Sequence, residues 1–202
     1  MRQTSKSKGR KGKEGAGADM AVPSKEPRDG TGGEPEELSM VQVLRIAQEA
    51  EGFLELGIHH RALERAERLL RSRAGRQAGL SLKAECFRRA DRFEEAIPVL
   101  EEALREWPDD EGLWVNMGWC RKRTGRLDLA IQAMEDLLAR QPESPIGHYN
   151  LACYLSLAGE KERALGELRM AFELEPGFKD LAKEESDFDP LRGDPEFEEL
   201  LD

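Results

Sequence analysis

The sequence predicts an all-α protein: a solenoid of helical hairpins, four consecutive 34-residue units long and closed by a C-terminal cap. Self-similarity is the first reason. A shift of 34 residues carries Gly125 onto Gly159, Ala130 onto Ala164 and Pro142 onto Pro176; the reverse shift carries Ala130 onto Ala96 and Pro142 onto Pro108. A further step back reaches Gly57 and Ala62. The second reason is that each recurring slot holds a residue type with a physical task in a helical hairpin. Composition is the third: 6% aromatic and 36% charged residues suit heavily solvated helices better than a sandwich or barrel.

Residues 1–37 contain few large apolar side chains and many Gly, Lys, Ser and Pro, so they cannot bury enough surface to offset their conformational entropy. They are expected to be a disordered tail. Residues 1–13 carry six Lys or Arg and no acid, which reads as a solvated stretch rather than a nucleic-acid arm. A true start at Met20 is the other reading of this tail, and the residues leave both open.

Order is expected from Leu38. Ser39 and Gln42 have capping-box spacing, and Leu38 with Val43 forms a hydrophobic staple. Residues 38–178 then hold four gapless units, 43–76, 77–110, 111–144 and 145–178. Ala50, Ala84, Gly118 and Ala152 share one slot, and Ala62, Ala96, Ala130 and Ala164 another. Paired helices approach to about 8–10 Å, at the near end only where the facing side chains are small. Gly57, Gly125 and Gly159 end first helices in a left-handed conformation; Asp91 either does the same or begins the next helix with Glu94 at capping-box spacing. Pro108, Pro142 and Pro176 stop second helices, and Ser144-Pro145 caps and starts another. Pro98 falls inside a second helix whose apolar period continues, so a slight bend is expected there.

Residues 179–202 carry three basic and ten acidic side chains. Phe178, Leu181, Phe188, Leu191, Phe197, Leu200 and Leu201 are spaced for short amphipathic turns, with Asp189-Pro190 and Asp194-Pro195 as cap-plus-first-turn pairs. This segment is expected to cap the apolar end of the last helix pair, around Leu165, Leu168 and Phe172. The Arg192-Gly193-Asp194 triplet is read as a helix start and nothing more.

No constellation for catalysis or metal binding is present: no phosphate-cradling glycine loop with lysine, no His-Glu-x-x-His, no cysteine pairs at zinc spacing. We expect no enzyme activity, cofactor or metal. Three cysteines, an odd number without close spacing, point to a reducing compartment. Cys86 and Cys120 share a slot on helices about 10 Å apart, beyond disulfide reach, so structural thiols are expected. His59 and His60 diverge into solvent, and His148 packs in the slot that Trp114 holds one unit earlier. The net charge of −10 argues against general affinity for nucleic acid or anionic membrane, and no apolar run reaches the length of a membrane span. A soluble, cytoplasmic protein is expected.

The set Trp114, Met117, Gly118, Gly125, Ala130 and Pro142 resembles the tetratricopeptide repeat family, over residues 43–178. Arg121 stands where the family usually has tyrosine, and the first unit has Ile46 and Ala74 in place of the tryptophan and the final proline. From His148 to Leu201 the chain is similar to the closing unit of many bacterial repeat proteins, which implies a bacterial origin. The resemblance implies a right-handed solenoid whose first helices line a concave groove. Its positions here are Glu51, Leu54 and Glu55; Ser81, Glu85, Arg88 and Arg89; Val115, Asn116, Trp119, Lys122 and Arg123; and Tyr149, Asn150, Cys153 and Ser156. Asn116 and Asn150 match a chaperone-tail clamp, but Ala47, Glu51 and Leu82 stand where that clamp needs polar or basic groups. The expected function is a scaffold that binds a segment of another protein in this groove, with a self-associating structural subunit as the alternative. Arg88, Arg89, Arg121, Lys122 and Arg123 end two successive first helices and are expected to form one basic cluster, with Glu94, Glu95 and Asp128 as its neutralising neighbours. With Trp119 and Tyr149 beside it, the cluster suits an acidic segment around an apolar anchor. The oligomeric state stays open.

Overall fold

The computed structural model describes residues 37–202; the segment expected to be disordered lies, apart from residue 37, outside the described residues. Among them every regular element is helical. The chain runs through α1 (Met40–Glu55), α2 (His59–Leu70), α3 (Arg76–Arg89), α4 (Phe93–Glu106), α5 (Glu111–Arg123), α6 (Leu127–Arg140), α7 (Pro145–Ala158) and α8 (Lys161–Leu174). It ends with α9 (Phe178–Glu184), a 3-10 turn (Ser186–Leu191) and α10 (Pro195–Leu201). Helices pack in sequence order, each pair forming a hairpin.

The start of α1 follows the expected chemistry. Ser39 Oγ accepts from the Gln42 N–H, and the Gln42 side chain accepts from the Ser39 N–H at 2.8 Å. Leu38 and Val43 are both buried in the same apolar cluster. The Leu38 N–H also donates to the buried Ser72 Oγ at 3.1 Å, which ties the start of the first hairpin to its far end.

All four hairpin turns share one geometry. Gly57, Asp91, Gly125 and Gly159 have φ of 70°, 56°, 76° and 77°. The next residue's N–H reaches back five positions: Ile58 to Phe53, Arg92 to Phe87, Arg126 to Arg121 and Glu160 to Leu155, at 2.8–2.9 Å. The left-handed residue itself donates three positions back, which completes the Schellman pattern at each turn. Asp91 is therefore the turn residue and not a helix cap, and α4 starts after Arg92 with no side-chain cap. Asp91 is the one non-glycine with positive φ among the described residues, a conformation that aspartate tolerates better than most side chains.

Links between hairpins depend on proline. Trp107, Gln141 and Glu175, each just before a proline, have φ between −143° and −128° and ψ between 70° and 95°. A proline ring disfavours the helical conformation in the preceding residue, so each second helix stops there. The first link has Ala74 instead of proline; α2 ends at Leu70 and the chain turns through helical conformations at Arg71 and Gly75. Helix α4 passes through the exposed Pro98 unbroken.

The small-residue slots are buried throughout. Ala50, Ala62, Ala96, Ala130, Ala152 and Ala164 are fully enclosed, and Ala84 and Gly118 are buried. First helices touch from one hairpin to the next, while second helices stand further apart, so the stack curves with the first helices inside. Helix α3 joins two apolar clusters: Leu82 and Cys86 belong with α1 and α2, whereas Leu80, Ala84 and Phe87 belong with the rest.

The C-terminal elements pack on both helices of the last pair, the 3-10 turn against α7 and α10 against α8. Phe188 and Phe197 are fully buried, with ring centroids 5.7 Å apart. Asp194-Pro195 starts α10 as expected, Asp194 accepting from the Glu196 N–H. Asp189-Pro190 differs from expectation: it lies inside the 3-10 turn, which Glu185 caps by accepting from the Asp187 N–H. Leu181 is exposed, and Ala182 is the side chain that α9 buries.

A Cβ added at Gly118 would stand 2.9 Å from the Met134 methyl and 3.1 Å from the Tyr154 ring. Gly118→Leu is expected to destabilise the protein by about 1–3 kcal/mol through overpacking, read as a lower melting temperature. An unchanged melt would show that this crossing is not tight. Deleting residues 187–202 removes Phe188 and Phe197, whose burial is worth roughly 3–6 kcal/mol together. The truncated chain is expected to melt early or aggregate, whereas equal stability would show that the segment is no cap.

Candidate functional site

The inner face is built by α1, α3 and α5. Between them lies an open cavity of about 430 Å³, lined by Ala47, Glu51, Leu54 and Glu55 from α1, Ala78, Ser81, Leu82, Glu85 and Arg89 from α3, and Asn116 from α5. The floor is apolar because Leu54 and Leu82 belong to the buried cluster beneath it. Polar groups stand on the walls.

The basic side chains expected to act together are divided by the structure. Arg88 and Arg89 both donate to the Glu85 carboxylate, at 2.5 Å and 2.7 Å. Burial works against that carboxylate, yet the hydrogen bonds from Arg88 and Arg89 prevail and hold the Glu85 carboxyl below the ordinary glutamate range. Lys122 is engaged elsewhere: its Nζ lies 2.5 Å from Asp187 Oδ2 in the C-terminal 3-10 turn, with both side chains largely covered. Arg121 leaves the cluster altogether. Its guanidinium donates to the Leu129 carbonyl at 3.1 Å and lines a cleft between α4, α5 and α6. Glu94 and Glu95 pair with Arg126 and Arg92, so they do not neutralise Arg88 or Arg89. Arg123 has no carboxylate partner among the described residues and stacks its guanidinium over Phe93 and Trp119, at 5.2 Å and 5.3 Å.

Trp119 is half-buried. Phe93 meets it edge-on at 5.1 Å and Arg88 lies over its ring at 5.0 Å. Tyr149 does not stand beside it as an accessible anchor. Tyr149 is 6% exposed, its ring stacked on Phe178 at 4.6 Å and met edge-on by Phe188 at 5.7 Å. Cys153 and Ser156, also expected in the groove, are buried as well, and Asn150 is partly exposed. The C-terminal segment thus covers the inner face of α7. Sequence reasoning missed Asp187 and Phe188 as occupants of this face. The available signal was charge: an acidic run around phenylalanine, in the same chain as an uncompensated Lys122 slot.

Other singled-out residues have structural tasks. His148 Nε2 lies 2.9 Å from the Pro142 carbonyl, just as Trp114 Nε1 donates to the Pro108 carbonyl at 2.7 Å. A ring nitrogen at this slot satisfies a carbonyl of the hairpin link. His148 Nδ1 faces Glu167 at 2.6 Å. The three cysteines are free and buried; burial pushes the Cys86 and Cys120 thiols up to about 11 and holds the Cys153 thiol well above its ordinary value, which disfavours reactive thiolates. Among the described residues no helix is long and apolar enough to cross a membrane.

Two family profiles, each described as a tetratricopeptide repeat, match residues 48–111 and 87–152, together spanning more than half of the chain. No curated protein matches the sequence. Among solved structures, a thermophilic tetratricopeptide repeat protein of Thermus thermophilus, TTC0263, is 24% identical with a TM-score of 0.60, over 70% of this chain and 78% of that one. MamA of Desulfovibrio magneticus RS-1, from residue 41 to its end, is 14% identical with a TM-score of 0.58, over 79% and 93%. YrrB, described as a tetratricopeptide repeat protein with an unusual peptide-binding site, is 19% identical with a TM-score of 0.55, over 66% and 69%. These likenesses establish the fold.

Because the Glu85 carboxyl is held low by its arginines in the folded state, its contribution to stability is complete above the ordinary glutamate range and is lost as pH falls through the depressed folded value. Glu85→Gln is therefore expected to narrow the stability difference between about pH 6 and about pH 3, a window that runs from above the ordinary glutamate range to below it. A difference as large as the parent's, by thermal melts at both pH values, would show that Glu85 carries none of it.

Proposed function

Because the chain belongs to the tetratricopeptide repeat family, we propose that it is a non-enzymatic scaffold that holds a segment of another protein in the open part of its inner groove. Repeats over residues 38–178 form the binding body and residues 179–202 the cap. The observation that carries this reading is the cavity of about 430 Å³ between α1, α3 and α5, with an apolar floor and polar walls. A ligand segment there covers the floor and finds hydrogen-bonding groups on both sides, the usual composition of a peptide site. Arg89 and Asn116 line the cavity; Arg88 and Arg123, which lie over the Trp119 ring, are proposed with Trp119 as further contact residues. Lys122 and Tyr149 drop out, because the chain's own Asp187, Phe178 and Phe188 engage them. The acidic segment with an apolar anchor expected of the partner has a counterpart within the chain in Asp187 and Phe188, which engage Lys122 and Tyr149. Three buried free thiols agree with a reducing compartment such as the cytoplasm.

A structural subunit is the second reading. It is favoured by Met40, Val41 and Leu44, which are 61%, 76% and 58% exposed on the first turns of α1. Light scattering separates the two, since a concentration-independent monomer excludes self-assembly as the function.

Ser81→Trp places a large ring in the cavity from a partly exposed position. Once a partner is identified, titration calorimetry is expected to show at least about tenfold weaker binding for this variant at an unchanged melting temperature, equivalent to about 1.4 kcal/mol. Equal affinity would place the binding surface outside the groove.

A further inference from the structure

The walls of the cavity are not electrically alike. On the α3 side, Glu85 is already shared by Arg88 and Arg89. On the α1 side, Glu51 and Glu55 stand one turn apart, both exposed and both lining the cavity, and neither has a cation partner among the described residues. Like charges at this spacing repel along a helix, and no cation among the described residues relieves them. They flank the apolar floor formed by Leu54 and Leu82, which the aliphatic stem of a lysine or arginine can cover while its charge meets a carboxylate. Asn116 closes the far side with an amide that can both donate and accept.

Spacing adds a constraint. Positions four apart on a helix are separated by about 6 Å along its axis. Same-face side chains of an extended chain repeat every two residues, about 6.6 Å. An extended segment lying along α1 can therefore set one cationic side chain against each carboxylate.

We infer that the open groove takes an extended segment of a partner protein carrying Lys or Arg at alternating positions, held by Glu51 and Glu55. The inference rests on the groove reading above and adds the partner's chemistry. The chain's net charge of −10 also favours encounter with such a basic segment.

The test uses the full chain and dye-labelled octapeptides read by fluorescence anisotropy: one with two lysines at alternating positions among alanines and a leucine, and one with glutamates in their place. The basic probe is expected to bind, more weakly as salt rises. Glu51→Lys with Glu55→Lys is expected to weaken it about tenfold at an unchanged melting temperature. Equal binding of the acidic probe, or no effect of the double reversal, overturns the inference. Ser81→Trp separates the two levels. If it weakens an identified partner while the double reversal does not, the groove stands and the basic ligand falls; if it leaves the basic probe bound as tightly, the groove reading falls too. Sedimentation velocity covers the remaining occupant: a dimer dissolved by the double reversal means that a second copy fills the groove, which also overturns the inference.

Discussion

Helices can pair closely only where side chains between them are small, and in this chain that requirement repeats with the period of the sequence. Alanine or glycine occupies one buried slot on each first helix, and alanine one on each second helix. Identical hairpins follow, because the turn chemistry repeats with the same period: a left-handed residue, then an N–H reaching back five positions. Since first helices pack more closely from pair to pair than second helices do, the stack curves. The inner cavity is a consequence of that curvature. A bulky residue at any crossing would change the local angle and with it the shape of the face offered to a partner.

How much of the inner face remains available is decided by the C-terminal segment. Phe188 and Phe197 are buried at the end of the stack, and their burial brings Asp187 to Lys122. The end of a solenoid needs covering, since an exposed last repeat would leave an apolar face in water. Here the cover also reaches the inner side of α7 and closes it. At the basic end Arg88 and Arg89 share Glu85 and Lys122 meets Asp187, whereas the open end, between α1 and α5, keeps Glu51 and Glu55 without a cation among the described residues. Capping and specificity are thus linked through one short acidic segment.

Features that depend on neighbours in sequence were legible before the fold was known. Gly57, Gly125 and Gly159 mark turns because few other residues adopt positive φ, and the three prolines end helices by a local clash. Asp91 was ambiguous because aspartate both caps helices and tolerates left-handed conformations; the packing of the second hairpin chose the latter. Features that depend on distant parts of the chain were not legible. Lys122 and Asp187 are 65 residues apart, and although the acidic run around Phe188 signals a need for cations, nothing local to it singles out Lys122. Arg121 was misplaced by grouping it with its chain neighbours, although successive helix positions point in different directions. The repeat pattern puts Tyr149 on the inner face of α7 but does not specify what folds over that face, and Phe178 and Phe188 cover its ring. The same slot logic succeeded for His148, whose ring nitrogen repeats the hydrogen bond made by Trp114.

The central claim is that a partner segment lies on the inner face of α1, α3 and α5 and not on the outer helices. Site-specific photo-crosslinking tests it most directly, with a photoreactive side chain at Asn116 on the cavity wall or at the exposed Pro98 on α4. The account predicts a crosslinked partner from position 116 and none from position 98. Crosslinking from position 98 with none from position 116 would contradict it.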